Sequence, residues 1–420
     1  MNVKFREKSS KYKTYTLISE YSLTKIFSTE NQWVEDFPST VTSRLNFMNE
    51  YDVIILQHSL SSILSYLSKE KKLPQKIIEN AKNILEDQCY FDIPAIEQIF
   101  SKMKELEKKY CIDVRIAIEL KEKRKIIFNH NGVIYVNKER YYIFSYNVVH
   151  YNTQQMSLSD YIILEYLHYD NFLDVFQRIE EEIQFMFKKK IKLIDVESYD
   201  LYFHPYATGI FFHEFIGHLL EADHFFTSPL VYQQDFKFKE NINIIENYGL
   251  YQRYDDLGNI IYPNIDLVKK GKLKNLLNSE VTKYIYRQQS SGNAIQGNNT
   301  ADIYPRMQHM YICPGEKPIG DSLTRTMKGI YVKKLNMGEV NTHTGDFTVE
   351  VEMSYLIENG KCTSEVEPFM MTFNIFELAN RELLLGNEVK TFYNLCGKRG
   401  SIVKVAYTVP ALGIKASTKE

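Results

Sequence analysis

No run of about 18 apolar residues, the length a membrane-spanning helix requires, occurs in the chain. No membrane partner is expected. The first residues, "MNVKFREKSSKYKTYTL", carry charges throughout and lack the apolar core of a signal peptide, which points to a soluble, cytoplasmic protein. An excess of one charge sign is missing as well: 51 Lys and Arg stand against 53 Asp and Glu, and no like-charge run exceeds a few residues. That balance leaves no electrostatic footprint for a polyphosphate, so nucleic acid is not an expected partner. The five cysteines (Cys89, Cys111, Cys313, Cys362, Cys396) are odd in number, widely spaced and without a CxxC pair, as befits free thiols in a reducing compartment. With 18 Gly and 11 Pro there is too little of either for a long linker, and no repeat or low-complexity tract is found.

What is present organises into two halves. At 420 residues the chain exceeds the roughly 250–300 over which a single core grows, so two domains are expected. The pattern predicts an α+β protein, with an N-terminal mixed α/β domain over 1–192 and a C-terminal, mainly antiparallel β domain over 193–420. Residues 75–110 place apolar side chains three and four apart and are split by Pro94, which predicts two amphipathic helices packed on a sheet. From Ile112 to Tyr151 the pattern turns to alternation rich in Ile, Val, Tyr and Phe, with "NHNG" (129–132) as the turn of an antiparallel hairpin. The segment 171–190 is helical by spacing, with its lysines placed in the last turn where they suit the helix dipole. Beyond Lys192 a short strand in "SYDLYFHP" leads into a histidine stretch, and strand-like segments such as "FTVEVEMSYLIENGK" (347–361) dominate thereafter.

The histidine stretch is "HEFIGHLLEAD" (213–223). Two readings of it stand side by side. In one, His213 and His218 are ordinary hydrogen-bonded helix residues, and Glu214, His218 and Glu221 form a solvated stripe at i, i+4, i+7. In the other, the apolar surroundings of "ATGIFFHEFIGHLLEAD" make burial of so many polar groups costly unless something pairs with them, and a metal ion is the economical partner. Imidazoles suit zinc, and Glu214, beside the first histidine, is placed to take the proton of a metal-activated water.

These residues resemble the TldD/PmbA metallopeptidase family, whose HExxxH helix is followed by a leucine, glutamate and aspartate pattern. In the same order, "SGN" (291–293), "YPRMQHMYICPGE" (304–316), "TGDFTVEVEMSYLIENGK" (344–361) and "LCGKRG" (395–400) support the resemblance over most of residues 196–410. It implies a zinc site of His213, His218 and Cys396, with Glu214 as catalytic base, in the active type of chain that retains HExxxH. It also implies unfolded or short peptides as substrates and a dimer, either of this chain or with a family partner. Departures from the family pattern are Ala222 in place of glycine, His309 in place of asparagine, and "GIKASTKE" in place of a glycine-rich tail. Two rivals remain open: a non-catalytic peptide-binding or scaffold subunit with a structural zinc, and a metal-dependent hydrolase of a non-peptide amide. The family's old association with DNA gyrase finds no support in a DNA-binding surface here.

For the neighbouring residues the readings divide similarly. Glu221 and Asp223 either orient ligand imidazoles from behind or are solvated. Arg306 and His309 either contact a peptide carbonyl or carboxylate or belong to the surface, while His204 and His224 flank the motif by proximity only. Geometry poses a last question. At about 100° per residue, positions five apart on a regular helix point about 140° away from each other. For His213 and His218 to share an ion, a π-type turn bonding i to i+5 is required, with permissive Gly217 as its weak point. A regular helix would instead align Glu214, His218 and Glu221.

Overall fold

Ile112, Val114, Ile116, Ile118 and Leu120 are all buried, and this period of two makes Ile112–Asn129 a strand with one face on a core. In a computed structural model of the protein the described residues are 15–28, 33–48, 53–58, 60–69, 73–85, 93–129, 132–150, 157–166, 169–193, 195–225, 228, 236–239, 241–246, 253–280, 282–283, 290–297 and 302–416. The chain divides into two compact units, Met1–Glu180 with Tyr254–Asn259 and Gln296–Ile303, and Glu181–Arg253 with Ile260–Ile295 and Tyr304–Glu420.

The first unit is built on a six-stranded antiparallel sheet in the order Val53–His58, Trp33–Met48, Tyr15–Ser28, Ile112–Asn129, Gly132–His150, Ser157–Leu164. Asn129 pairs with Gly132 as the hairpin requires, and the turn residues between them lie outside the described residues. The two expected helices are Gln75–Leu85 and Ile93–Tyr110. Pro94 is not the break itself. It falls in the first turn of the second helix, where a missing N–H costs nothing. Leu67, Ile78 and Leu85 pack with Ile126 and Phe128, so helices do cover the sheet. Asp256 is clasped by Lys123 Nζ at 2.7 Å and Lys125 Nζ at 2.9 Å. Burial alone would raise its carboxyl, but the two ammonium groups hold it well below the usual range.

Helix Tyr169–Phe187 ends before the lysines expected in its last turn. Lys190 instead opens the two-residue strand Lys190–Ile191. The second unit holds a 12-stranded sheet in the order Lys272–Leu273, Ile265–Lys269, Ile244–Glu246, His309–Ile312, Ser401–Ile414, Asp200–Phe203, Lys328–Val340, Asp346–Glu358, Lys361–Val366, Lys190–Ile191. Phe369–Asn374 also pairs with Asp346–Glu358, and Leu383–Lys398 with Ser401–Ile414. The sheet is mainly antiparallel but mixed: residues 309–311 run parallel to 406–408, Asp200–Phe203 to 329–332, and Lys190–Ile191 to 365–366. With helices and large sheets together, the fold is α+β. Helix Pro205–Phe212 is buried from Ala207 onward and therefore apolar on every side. Phe211 sits edge-on to Phe347 at 5.2 Å and Phe373 at 5.5 Å, which clamps the helix to the sheet. Among the described residues no helix is long and apolar enough to cross a membrane.

Candidate metal centre

His204 caps the helix, its Nδ1 accepting from Tyr206 N at 3.2 Å, and Pro205 takes the first helical position. The helix then changes pitch. His213–Gly217 is a π turn in which the His218 N–H donates to His213 O, a bond from i to i+5. The chain tightens through His218–Leu220 and leaves the helix at Glu221, whose ψ is 122°. The extra residue in the turn brings the two imidazoles onto one side, with ring centroids 4.6 Å apart. Of the two helix geometries the sequence allows, the distorted one is found. Gly217 has a different reason from the one expected: its backbone is ordinary helix at φ −57°, ψ −53°. A Cβ there would lie 2.2 Å from Met307 Sδ, so glycine provides room, not flexibility.

Cys396 comes from the sheet, near the end of strand Leu383–Lys398. Arg399 and Gly400 both take left-handed φ, 49° and 77°, and form the two-residue turn into Ser401–Ile414. Antiparallel pairing of Cys396 with Val403 and of Lys398 with Ser401 fixes the register. With period two, Cys396 and Lys398 share a face. Cys396 Sγ lies 3.1 Å from His213 Nε2 and 3.6 Å from His218 Nε2. The structure thus brings His213, His218 and Cys396 together, donor atoms within 4.8 Å of one another, as a group that can hold a metal ion. Burial would raise the Cys396 thiol, but the two imidazoles outweigh it and hold the thiol well below its ordinary value.

Glu214 is close by, its Oε2 4.0 Å from His218 Nε2, and its side chain is 13% exposed. Burial pushes this carboxyl up, against the opposing pull of the two histidines. It lies against Gly338 of strand Lys328–Val340, where a Cβ would stand 2.3 Å from Glu214 Cγ.

Behind the histidines lies a polar layer that sequence reasoning only partly anticipated. Glu221 is wholly buried, and its Oε2 meets His218 Nδ1 at 3.0 Å, so of its two readings the orienting geometry is present. Burial opposes its ionisation, yet His218 and Lys398 hold it well below the ordinary carboxylate range. Burial likewise opposes a charge on His218, while Glu221 and Cys396 raise its pKa well above the ordinary value. Lys398 Nζ donates to Glu221 Oε2 at 2.9 Å and Asp223 Oδ1 at 2.7 Å. Arg306 does not face a substrate. It is fully buried and donates to Cys396 O at 2.7 Å and Ser401 O at 3.3 Å, tying the two strands of the cysteine hairpin together. Asn293 of "SGN" holds Arg306 in turn, through Nδ2 to Arg306 O at 2.9 Å. His309 Nε2 meets Thr408 Oγ1 at 2.7 Å, and His204 is spent on its cap. Lys398 was the missed residue. Two acids inside an apolar stretch demand a cation, and a lysine two positions after the cysteine on one strand face was the available signal.

A family model of the PmbA/TldA metallopeptidase C-terminal domain matches residues 196–417, the span that supplies every side chain of the centre. A metalloprotease of Methanothermobacter thermautotrophicus is 28% identical over 225 residues, 52% of this chain and 49% of that protein. A zinc metalloprotease TldD homolog of Saccharolobus solfataricus is 22% identical over 225 residues, 52% of this chain and 50% of that protein. The chain spans about half the length of these curated relatives. The crystal structure of TldE from Thermococcus kodakarensis shares the fold, with a TM-score of 0.68 at 15% identity over 96% of both chains. More than half of the sequence, including the HExxxH helix and the cysteine hairpin, matches one family, and the chain belongs to the TldD/PmbA metallopeptidases.

Proposed function

We propose that the chain is a zinc-dependent peptidase acting on unfolded or short peptides, with zinc held by His213 Nε2, His218 Nε2 and Cys396 Sγ and Glu214 as general base. The observation that carries this reading is the convergence of two imidazoles and a thiol, from elements far apart in sequence, on one small volume. Ligands of a tetrahedral zinc stand about 3.3–3.6 Å from one another, given Zn–N of about 2.0–2.1 Å and Zn–S of about 2.3 Å. The separations of 3.1 Å and 3.6 Å from Cys396 Sγ to the two nitrogens are close to that spacing. A soft thiolate with two imidazoles favours zinc over harder ions, and three protein donors leave a position open, as in catalytic sites. Zinc supplies Lewis acidity to the scissile carbonyl and to water. Glu214 takes the water proton and returns it to the leaving amine, a task suited to a carboxyl whose pKa burial has raised. Family membership is the basis for expecting peptide substrates, bound extended through their backbone, and a dimer of this chain or with a family partner.

The test is cleavage of a panel of unstructured peptides with zinc content measured on the same sample. Stoichiometric zinc, cleavage abolished by a chelator and restored by zinc are expected. Zinc-loaded protein that leaves every peptide intact would turn the reading toward a scaffold subunit, and cleavage confined to non-peptide amides would replace the substrate class.

A further inference from the structure

Glu221 uses both carboxylate oxygens. Its Oε1 accepts from Met307 N at 3.3 Å and has Arg306 Nε at 3.8 Å, while Oε2 is shared by His218 Nδ1 and Lys398 Nζ. Lys398 is only 3% exposed at its side chain, and its ammonium is surrounded by oxygens of Glu221, Asp223 and Pro305, the last at 3.2 Å. Such an oxygen cage resembles the coordination of a hard divalent cation, but here the charge is covalently fixed. The two imidazoles differ in their support. His213 Nδ1 is buried with no hydrogen-bond partner among the described residues, and its ring is set by packing on Tyr407 at 5.3 Å. His218 Nδ1 is the far nitrogen that does have a partner, Glu221. When Nδ1–H is donated to a carboxylate, Nε2 is left as the lone-pair nitrogen facing Cys396.

We propose that Lys398 is a positioning residue whose ammonium clamps Glu221 onto His218 Nδ1 and so aims His218 Nε2 into the metal centre. Its place on the strand explains how one hairpin serves two ends of the site. Cys396 presents its sulfur to the histidines, and Lys398, on the same face, fixes the group behind one of them. A buried lysine that merely balanced charge would stabilise the fold without acting through His218.

The inference rests on the metal site proposed above, and zinc affinity separates the two. Competition with a chromophoric chelator is measured for the wild type, Lys398→Met, Glu221→Gln and the double variant, with folding checked by circular dichroism. Each single change is expected to weaken zinc binding about 10- to 100-fold, the usual loss when a metal-bound histidine loses its partner. The double variant is expected to bind about as weakly as the weaker single, because Lys398 works through Glu221. Cobalt substitution should still give thiolate-to-cobalt absorption, since Cys396 is untouched. If Lys398→Met does not fold, Lys398→Gln takes its place in the same cycle. Unchanged affinity in the lysine variant, or losses that multiply in the double variant, would overturn the clamp. A wild type that takes up no metal would overturn the proposed function instead.

Discussion

Gly338→Ala isolates the proposed base from the proposed ligands. The backbone of Gly338 is not in the left-handed region, so alanine is conformationally allowed there. Its Cβ would nevertheless stand 2.3 Å from Glu214 Cγ, 3.1 Å from Cδ and 3.3 Å from Cβ. Carbon atoms in contact keep about 3.5–4.0 Å, so the Glu214 side chain must retreat by more than about 1 Å. Gly338 lies just past an irregularity in the register of strand Lys328–Val340, but it and the two residues after it pair with Val349, Thr348 and Phe347, so the Glu214 side chain is the easier part to move. A misplacement of about 1 Å at a catalytic group costs about 10²-fold in rate. His213, His218 and Cys396 are not among the nearest atoms to the new methyl group. Peptidase kcat/KM is therefore expected to fall about 100-fold while zinc content and thermal stability stay near wild type. Gly320→Ala, where a Cβ meets nothing within 4 Å, serves as the control. A soluble, zinc-loaded Gly338→Ala protein with the wild-type rate would refute the reasoning. Loss of zinc in the variant would refute it differently, by showing that Gly338 protects the donor set and not the base.

Three further outcomes are expected. Glu214→Gln keeps the shape and the hydrogen-bonding capacity of the side chain but not its basicity, so metal content should hold while activity drops at least about 10²-fold, and an unchanged rate excludes Glu214 as base. Cys396→Ser replaces a soft donor by a hard one in a group that, among the described residues, holds no other thiol, so zinc content should fall sharply in a protein that still folds; full occupancy would remove Cys396 from the ligand set. In the first unit, burial pushes the Asp255 carboxyl up to about 7, so the folded chain holds this proton more tightly than the unfolded chain. The stability it contributes is complete below about pH 4 and is lost as pH rises through about 7, at up to about 1.4 kcal/mol per unit. Asp255→Asn, neutral throughout and still able to accept from the Leu257 and Asn259 N–H groups, should gain Tm relative to wild type as pH rises from about 4 to about 7; a constant difference over that range would contradict this.

The features legible in the sequence were those with a local cause. Alternation over Ile112–Leu120 follows from one buried face, and the hairpin at Asn129 and Gly132 from its turn residues. The π turn was legible as one of two alternatives, because two histidines five apart can share an ion in no regular helix, while an unbroken helix would have aligned Glu214, His218 and Glu221 instead. The helix end at Phe187 was not legible. Lysines suit a last turn, yet Lys190 is drawn instead into pairing with Glu365, a partner 175 positions away. The parallel pairings, such as Asp200 with Gly329, were hidden for the same reason. Gly217 shows a subtler limit, since sequence offers glycine's freedom as its meaning, whereas the neighbours that need its space, Met307 and Met310, are brought to it by the sheet.

The polar layer behind the centre makes sense as an instrument of geometry more than of stability. Glu221, Asp223, Lys398 and Arg306 bring two negative and two positive charges together, and Glu221, Lys398 and Arg306 are buried. A buried ion set of this kind seldom stabilises a fold more than well-packed apolar side chains would, because desolvation offsets most of the attraction. Removing one member, by contrast, leaves an uncompensated charge in the core. The apolar helix Pro205–Phe212 and its aromatic clamp also anchor the region. What the charges add is direction. Glu221 points one imidazole, Arg306 ties the Cys396 carbonyl to the facing strand, and Lys398 joins the cysteine strand to the carboxylate behind the histidine. Side chains that arrive from a helix and from a hairpin, 178 residues apart in the case of His218 and Cys396, need a rigid link to converge on one small volume. The buried charges form that link, and this accounts for a costly polar layer inside an otherwise apolar core.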